Sequence, residues 1–276
     1  IVCALGYGYL TQFIFKRICA LGIKGIGVTS KNIKNKEFTN IIFLNRDKIK
    51  EALNCSTHLL ITAPPDDKGC FIFNKFSSEI LASNIKSLIY ISSTGVYGNH
   101  NGEWVDESAE CVGNDPLAKC ILAGEARVMR STLNHMVVRC SGLYGPNRHY
   151  LLDALQNGDA RLCHSLRFSN RIHTLDCARM LYHMMRIRYN ERLYIASDSE
   201  PTPINTIVAW LSATTGIALP EMKHDESPEP DDGRSNKKLN NARLLHTGFR
   251  FEFSNYRQGF KHILQEKGLL PPPETP

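Results

Sequence analysis

Two glycines, Gly6 and Gly8, stand between the first apolar run of the chain and the first amphipathic one. Glycine lets the backbone turn tightly there and lets a pyrophosphate approach it, while the following helix N-terminus supplies positive partial charge. Thr11 replaces the third glycine of the usual dinucleotide fingerprint. The position in the first strand–helix turn favours dinucleotide binding; the alternative is a glycine-rich turn without a ligand. We refer to residues 6–8 as the phosphate loop.

The end of the second predicted strand indicates which dinucleotide is bound. An acidic residue at this place bonds the ribose 2′-hydroxyl of NAD and repels a 2′-phosphate. The chain has Thr29, Ser30 and Lys31 instead, with no carboxylate before Glu37. Two hydroxyls and a cation suit a 2′-phosphate, so we predict NADP, with NAD as the other possibility. The alternative is that Lys31 is an ordinary solvated lysine.

The segment 90–98, Tyr-Ile-Ser-Ser-Thr-Gly-Val-Tyr-Gly, is the most specific motif in the chain. With the phosphate loop, it resembles the NAD(P)-dependent epimerase/dehydratase group of the extended short-chain dehydrogenase/reductase superfamily, and more narrowly its atypical, sugar-epimerase-like branch. Further matching segments are 139–146, 170–176, 193–201 and 235–239. The resemblance covers almost the whole chain. It implies a Rossmann fold, a nicotinamide cofactor and a nucleotide sugar or related hydroxyl or carbonyl substrate.

In that family, a Ser or Thr at the position of Ser93 bonds the reacting oxygen, and a Tyr-x-x-x-Lys pair on the next helix moves the proton. Lys119 resembles the lysine, but Asp115 stands four residues before it, and no tyrosine occurs between Tyr97 and Tyr144. A carboxylate with a pKa of about 4 is a poor base for an alcohol unless burial raises it. We therefore predict that Asp115 caps the helix. Ser93 and Lys119 are the predicted catalytic residues, with Lys119 contacting the ribose or, alternatively, merely solvated. Tyr97 and Tyr144 are predicted to pack in turns rather than to replace the base.

The other predicted site residues follow from these turns and from the resemblance. His173 and Asp176 stand at a predicted helix start, near the substrate in the family or, alternatively, as a structural cap. Arg148 and Arg171 could hold a nucleotide diphosphate through paired hydrogen bonds, or could be exposed arginines. The predicted cofactor residues are Gly6, Tyr7, Gly8, Tyr9, Leu10, Thr29, Ser30, Lys31, Thr62, Ala63, Pro64, Ser92, Cys140, Ser141 and Gly142. The predicted substrate residues are Thr94, Tyr144, Arg148, Asn170 and His173.

A parallel sheet is needed to position these residues, and the hydrophobic pattern predicts one. Residues 59–61 and 88–91 are apolar on both faces, which is typical of parallel strands covered by helices. Predicted strands are 1–5, 25–29, 41–44, 58–62, 88–92, 135–140 and 192–196. Predicted helices are 10–21, 47–53, 71–83, 118–133, 150–155, 175–188, 204–215 and 256–266. This alternation predicts an α/β fold with a Rossmann-type doubly wound parallel sheet.

We predict two parts in the chain. Residues 1–146 form the dinucleotide-binding domain, and residues 147–276 form a smaller, mostly helical substrate lobe. Within the lobe, 191–198 is predicted to return to the sheet. The polar stretch 220–241 is predicted to be a long loop, and the proline run 271–273 a disordered tail.

Composition excludes several classes of protein. The chain has 276 residues, of which 42% are hydrophobic and 22% charged, so disordered and collagen-like chains are excluded. No apolar run approaches the roughly twenty residues of a membrane span. The net charge of +6 is spread along the chain, and we predict no nucleic-acid partner. Nine cysteines without Cys-x-x-Cys spacing, and no basic leader, predict reduced thiols in a cytoplasmic protein with no metal site.

Two function classes remain. The first is an NAD(P)-dependent epimerase/dehydratase-like oxidoreductase or isomerase, in which Ser93 positions the substrate oxygen while a hydride passes to the nicotinamide. The second is a non-catalytic NADP-binding sensor or scaffold that lost its chemistry with the tyrosine. The predicted partner is a small-molecule substrate, such as a nucleotide sugar, and the predicted assembly is a monomer or homodimer.

Overall fold

Short strands alternate with helices along the chain, as the hydrophobic pattern predicts. The computed structural model describes residues 1–31, 33, 37–66, 71–162, 164–220 and 235–271. Its strands are β1 (Val2–Leu5), β2 (Gly25–Val28), β3 (Ile41–Leu44), β4 (His58–Ile61), β5 (Ser87–Ser93), β6 (Trp104–Val105), β7 (His135–Cys140), β8 (Gly142–Tyr144), β9 (Phe168–Ser169), β10 (Arg171–His173), β11 (Leu193–Ala196), β12 (Thr202–Pro203) and β13 (Lys238–Leu239). Its helices are α1 (Tyr9–Ala20), α2 (Ile49–Asn54), α3 (Phe71–Leu81), α4 (Pro116–Met129), α5 (Tyr150–Gln156), α6 (Thr174–Arg186), α7 (Ile204–Thr215), α8 (Ala242–His246) and α9 (Tyr256–Glu266), with 3₁₀ turns at Arg46–Lys48 and Thr94–Tyr97.

Seven strands form one sheet, in the order β11-β7-β5-β4-β1-β2-β3. All six neighbouring pairs are parallel. The strand order reverses between β1 and β4, which is the switch point of a doubly wound sheet. The predicted α/β class and Rossmann-type sheet are confirmed. Strand β11, from the C-terminal half of the chain, pairs with β7 at the sheet edge.

Helices cover both faces of the sheet, which explains why its strands are apolar on both sides. Strands β1, β2 and β7 are buried at every position. One face packs against α1 and α6. The other packs against α2, α3 and the C-terminal half of α4. With both faces covered, the edge formed by the carboxyl ends of the strands is where a ligand can reach the sheet.

The C-terminal half adds a smaller core and three short strand pairs. Helices α5, α7 and α9 share that core. The pairs are β8 with β10, β9 with β12 and β6 with β13. The domain boundary at residue 146 stays a prediction. Of the predicted loop at 220–241, residues 221–234 lie outside the described residues, and Lys238–Leu239 forms β13. Residues 272–273 of the predicted tail also lie outside them.

No helix in the described part of the chain is long and apolar enough to cross a bilayer.

Candidate active site

The carboxyl ends of the central strands bring the predicted site residues to one edge of the sheet. Gly6 follows β1, Thr62 follows β4, Ser93 ends β5 and Cys140 ends β7. In the register of the sheet, Ser93 lies opposite Cys140. Ligands of open α/β sheets bind outside the carboxyl ends of the strands, next to the switch point. This edge is therefore the candidate active site.

Gly6 has to be glycine because the turn after β4 lies against it. Its φ is +111°, and a Cβ on it would lie 2.7 Å from the backbone nitrogen of Ala63. The Thr11 hydroxyl donates to the Gly6 carbonyl at 3.0 Å and lies 2.9 Å from the Thr62 hydroxyl. These hydroxyl contacts hold α1 against β1 and β4. They explain how the chain dispenses with the third glycine of the fingerprint.

Gly8 faces open space. It precedes α1 with φ −107° and ψ −169°, and a Cβ on it would have no heavy atom within 4 Å. The first turn of α1 carries no acidic side chain. The backbone N–H groups of that turn, together with the helix dipole, stabilise an anion placed there. We call this open space at the start of α1 the cradle at Gly8; it leaves room for the pyrophosphate of a dinucleotide.

Three side chains of the phosphate-loop region pack into the protein. The Tyr7 ring lies 4.6 Å from the Phe43 ring, centre to centre. The Tyr9 hydroxyl donates to the carbonyl of Pro146 at 2.8 Å. Leu10 belongs to the core beneath the sheet. Tyr7, Tyr9 and Leu10 remain predicted cofactor residues through their backbone groups, whereas their side chains pack beside the loop because aromatic and aliphatic groups are buried there.

The turn after β2 leaves two side chains for the ribose. Thr29 is buried, and its hydroxyl accepts a hydrogen bond from the backbone N–H of Lys31 at 3.1 Å. That hydroxyl therefore supports the turn itself. Ser30 and Lys31 are exposed. Of the three residues predicted at this turn, these two have side chains that a ligand can contact.

Three other predicted cofactor residues turn their side chains inward. The Ser92 hydroxyl donates to Glu125 at 2.5 Å in a buried contact. The Cys140 sulfur lies 3.8 Å from the buried Cys177 sulfur, and Ser141 is also buried. Successive side chains on a strand point to opposite faces of the sheet, so Ser92 and Ser93 cannot both point toward a ligand. Ala63, Pro64 and Gly142 are at least partly exposed.

Ser93 is placed to donate a hydrogen bond. Its side chain is half-buried at the end of β5, and its oxygen accepts the backbone N–H of Gly95 at 3.1 Å. With that lone pair engaged, the hydroxyl proton remains available for an oxygen on a ligand. Thr94, predicted to bind substrate, is almost fully buried in the same 3₁₀ turn.

A buried ion pair that the sequence did not lead us to expect packs against this turn. The Arg139 guanidinium donates two hydrogen bonds to Glu125, at 2.9 and 2.7 Å. The same guanidinium lies 4.7 Å from the centre of the Tyr97 ring. The signal was an arginine inside an apolar strand and a glutamate on the packed face of a helix. Burial raises the pKa of Tyr97 to about 12, which agrees with a packing role for that tyrosine.

Lys119 lies on the exposed face of α4. The packed face carries Ala118, Ile121 and Val128. At 3.6 residues per turn, Lys119 projects about 160° around the helix from Ile121. Leu117, in the first turn, is 59% exposed and does not belong to the packed face. Lys119 is thus open to solvent or to a ligand, and its pairing with Ser93 stays a prediction.

Asp115 caps α4, as predicted. Its side chain accepts the backbone N–H of Ala118 at 2.9 Å, and Pro116 occupies the first turn. Proline fits there because that position has no intrahelical partner for an N–H group. The helix therefore starts two residues earlier than the hydrophobic pattern predicts.

His173 and Tyr144, predicted to bind substrate, lie in the interior. His173 is 0% exposed, and its ring centre lies 4.1 Å from that of Phe253 and 5.3 Å from that of Tyr144. Burial, with a smaller effect of His262, lowers the pKa of His173 to about 3. Burial also raises the pKa of Tyr144. In this packing the His173 ring has no access to a ligand, whereas Tyr144 is among the residues that line a small cavity.

Asp176 has a structural role, but it does not cap α6: the first turn of that helix has no side-chain cap, and the carboxylate binds a distant loop instead. It is buried and accepts the backbone N–H groups of Glu252 at 3.0 Å and Phe253 at 2.7 Å. It also pairs with Arg179. The carboxylate is thus fully engaged in holding the loop before α9 against α6.

Of the other two predicted substrate residues, Asn170 is engaged by the backbone of the lobe, and Arg148 lies next to the phosphate loop. The Asn170 amide donates to the Lys237 carbonyl at 2.8 Å and accepts the Leu239 N–H at 2.8 Å, so it anchors β13. The Arg148 guanidinium lies 5.4 Å from the Tyr9 ring centre. Arg148 is thus next to the start of α1. Among the described residues, no three His, Cys, Asp or Glu side chains come together as a metal site would require.

Several solved structures share the fold that carries this site. No family model and no curated protein matches the chain. A conserved protein of unknown function from Silicibacter pomeroyi is 24% identical with a TM-score of 0.86, covering 96% of this chain and 98% of that one. A protein described as an NAD-dependent epimerase/dehydratase from Methylobacillus flagellatus is 25% identical with a TM-score of 0.75, covering 97% and 98%. The Bordetella bronchiseptica enzyme WbmG, solved with NAD and UDP, is 15% identical with a TM-score of 0.80, covering 97% and 96%.

The chain has the fold of the NAD-dependent epimerase/dehydratases, and its resemblance to the extended short-chain dehydrogenase/reductase superfamily is confirmed.

Proposed function

We propose that the chain binds a nicotinamide dinucleotide and acts as an epimerase/dehydratase-like oxidoreductase or isomerase on a nucleotide sugar or a related hydroxyl or carbonyl compound. The observation that carries the proposal is the open cradle at Gly8 on the same sheet edge as the donor hydroxyl of Ser93. WbmG, which shares the fold, was solved with NAD and UDP.

The residues of the edge would share the work as follows. The cradle at Gly8 and the N-terminus of α1 hold the pyrophosphate. When bound, the nicotinamide exchanges a hydride with a substrate carbon. Ser93 donates its hydroxyl proton to the oxygen on that carbon and orients it. A hydrogen bond that strengthens as charge develops on this oxygen lowers the barrier.

The turn at Thr29–Lys31 supports NADP as the cofactor. Ser30 and Lys31 are exposed there, and the turn holds no carboxylate to repel a 2′-phosphate. NAD, the cofactor named for WbmG, is the other candidate. Competition between NADPH and NADH for the protein decides between the two.

The second candidate function is a dinucleotide-binding sensor or scaffold without turnover. It is favoured by the absence of any tyrosine in α4. A general base matched to the operating pH normally contributes on the order of 100- to 10,000-fold in rate. Without one, dinucleotide binding can persist while catalysis is lost.

One experiment separates these functions. The protein is incubated with NAD or NADP and a panel of nucleotide sugars, while cofactor absorbance and deuterium exchange at the sugar carbons are followed. Exchange that depends on the dinucleotide supports the enzyme. Tight dinucleotide binding without exchange supports the sensor. No dinucleotide binding at all contradicts both.

A further inference from the structure

The 3₁₀ turn Thr94–Tyr97, which follows Ser93, is held at both ends. At its start, the Ser93 oxygen accepts the backbone N–H of Gly95 at 3.1 Å. At its end, Gly98 has φ +64°, and its carbonyl accepts a hydrogen bond from the Lys237 Nζ at 3.1 Å. Lys237 lies 139 residues beyond Gly98 in the chain. A side chain from the C-terminal half therefore contacts the turn that carries the candidate donor.

Lys237 is a buried cation. It is 2% exposed, and the same Nζ donates to the Ser235 hydroxyl at 2.7 Å. Burial lowers the pKa of Lys237 to about 8, so the side chain is mostly protonated at pH 7. No carboxylate in the described part of the chain pairs with it. An unpaired buried charge is costly, and a methionine would fill a similar volume without that cost. Packing alone therefore does not explain a lysine at this position.

The backbone on both sides of Lys237 is itself held by hydrogen bonds. The Asn170 amide donates to the Lys237 carbonyl at 2.8 Å. The Asn236 carbonyl accepts two backbone N–H groups of the loop that follows the turn, at 2.9 and 3.1 Å. Strand β13 starts directly after Lys237 and pairs with β6. The lysine therefore contacts Gly98 from a fixed backbone, as a residue that orients a functional group must.

The turn is also enclosed from the side of α4. A Cβ on Gly98 would lie 2.8 Å from the backbone nitrogen of Gly113. The N–H of Gly113 donates to the carbonyl of Val96 at 3.0 Å. The turn has only four residues, so a shift of the Gly98 carbonyl is transmitted through the backbone to Ser93.

We propose that Lys237 is a positioning residue of the candidate active site: by holding the end of this turn at Gly98, it fixes the direction in which the Ser93 hydroxyl donates. The proposal rests on the proposed function, because it takes Ser93 as the donor to the substrate oxygen. In this role Lys237 acts through the turn, without contact to the substrate. A misplacement of about 1 Å that originates far from the reacting atoms can cost on the order of 100-fold in rate.

Lys237→Met and Lys238→Met test the proposal as a matched pair. The two lysines are neighbours, but the Lys238 Nζ lies over the rings of Trp104 and Phe168, 5.4 and 5.3 Å from their centres. Deuterium exchange at the sugar carbons is measured with dinucleotide and nucleotide sugar both saturating, and calorimetry measures dinucleotide affinity. We expect Lys237→Met to slow exchange about 10- to 100-fold at unchanged dinucleotide affinity. Lys238→Met should change neither quantity.

The Gly95 amide reports the geometry of the turn without any turnover. Its N–H donates to the Ser93 oxygen, so its proton chemical shift depends on that hydrogen bond. In protein labelled with nitrogen-15 glycine, the spectrum of Gly95→Ala identifies the signal. We expect the signal to move in Lys237→Met and to stay in place in Lys238→Met. Full exchange in Lys237→Met, slow exchange with an unmoved signal, or equal losses in the two lysine variants overturns the proposal.

The two readouts separate this proposal from the proposed function. If the unmodified protein binds a dinucleotide but exchanges deuterium with no nucleotide sugar, the proposed enzyme activity fails, and the Gly95 signal still decides whether Lys237 fixes the turn. If Lys237→Met does not fold, Ser235→Ala takes its place, because it removes the 2.7 Å contact that holds Nζ beside Gly98. A smaller movement of the Gly95 signal then supports the proposal, and an unmoved signal overturns it.

Discussion

Gly6 and Gly8 show that one residue type can be required for two physical reasons. At Gly6 the protein itself needs the missing side chain, because the turn after β4 lies against it and φ is +111°. At Gly8 only a ligand would need it, because the space in front is open. The two positions therefore separate folding from binding.

Gly8→Val should abolish dinucleotide binding while costing no more than about 1 kcal/mol of stability, the usual penalty for a poor helix cap. Gly6→Ala should instead lower the free energy of unfolding by about 1–3 kcal/mol, because φ is strained and Ala63 is in contact. Fluorescence titration with NADPH and urea unfolding measure the two effects. Unchanged NADPH affinity in folded Gly8→Val would show that the cradle is not a ligand site.

Lys31 decides the cofactor preference in our interpretation. Lys31→Glu should reverse a preference for NADPH over NADH, because a carboxylate accepts from the ribose 2′-hydroxyl and repels a 2′-phosphate. Lys86→Glu, an exposed position just before β5 and therefore at the opposite edge of the sheet, is the matched charge control. Equal calorimetric affinities for NADPH and NADH in the unmodified protein would refute the prediction.

Ser93 should matter more to turnover than Lys119. Ser93→Ala loses the hydroxyl donor and should slow exchange by about 10- to 1,000-fold, the range seen when one transition-state donor is removed. Lys119→Met should change the rate little, because Lys119 lies on the exposed face of α4. Deuterium exchange at the sugar carbons measures both variants. Loss of exchange in Lys119→Met with full activity in Ser93→Ala would reverse this assignment.

At the scale of elements, one buried ion pair ties helix α4 to strand β7. Glu125 and Arg139 are each only 7% exposed in their side chains and share two hydrogen bonds. Ser92 adds a third contact to the same carboxylate, next to Ser93. The pair therefore fixes the helix relative to the turn that carries the candidate donor.

Arg139→Met should lower the free energy of unfolding by about 3–5 kcal/mol, because it leaves the Glu125 carboxylate buried without its counter-charge. Combining it with Glu125→Leu should recover most of that loss, since a buried apolar pair carries no desolvation penalty. Urea unfolding of the two single variants and the double variant gives the coupling energy. Strictly additive losses would mean that the two side chains do not stabilise each other.

At the scale of the whole molecule, buried titratable groups make stability depend on pH. His173 is fully buried, and its pKa is lowered from 6.5 to about 3 in the folded protein. Below pH 6.5 the imidazole therefore becomes protonated in the unfolded chain while it stays neutral in the folded chain. Folding stability contributed by the neutral imidazole is lost as the pH falls from 6.5 toward 3, by up to about 1.4 kcal/mol per unit.

His173→Leu should remove this contribution. The free energy of unfolding of the unmodified protein should fall relative to that of His173→Leu as the pH is lowered from 7 to 5. Urea titrations at pH 7, 6 and 5 measure it. A difference that stays constant over this range would mean that the imidazole takes up its proton equally in both states.

The fold followed from the sequence because its signals are local. Apolar runs on both strand faces, the glycine turn before α1 and the cap at Asp115 each depend on residues close together in the chain. The edge at which Gly6 and Ser93 meet followed as well, because carboxyl ends of parallel strands always lie on the same side. Strand β11 was placed in the sheet by the same reasoning.

The direction and burial of single polar side chains could be decided only by tertiary structure. Lys119 matched its motif by spacing, yet a helix turns about 100° per residue, so the packed face of α4 is set by what it packs against. The Arg139–Glu125 pair joins a strand to a helix, and Asn170 holds a segment 67 residues away. Arg171 and His173 are buried because the C-terminal elements close over them. A one-dimensional pattern carries the period of each element but not the contacts between elements, and these contacts decide which polar groups meet a ligand and which meet the protein.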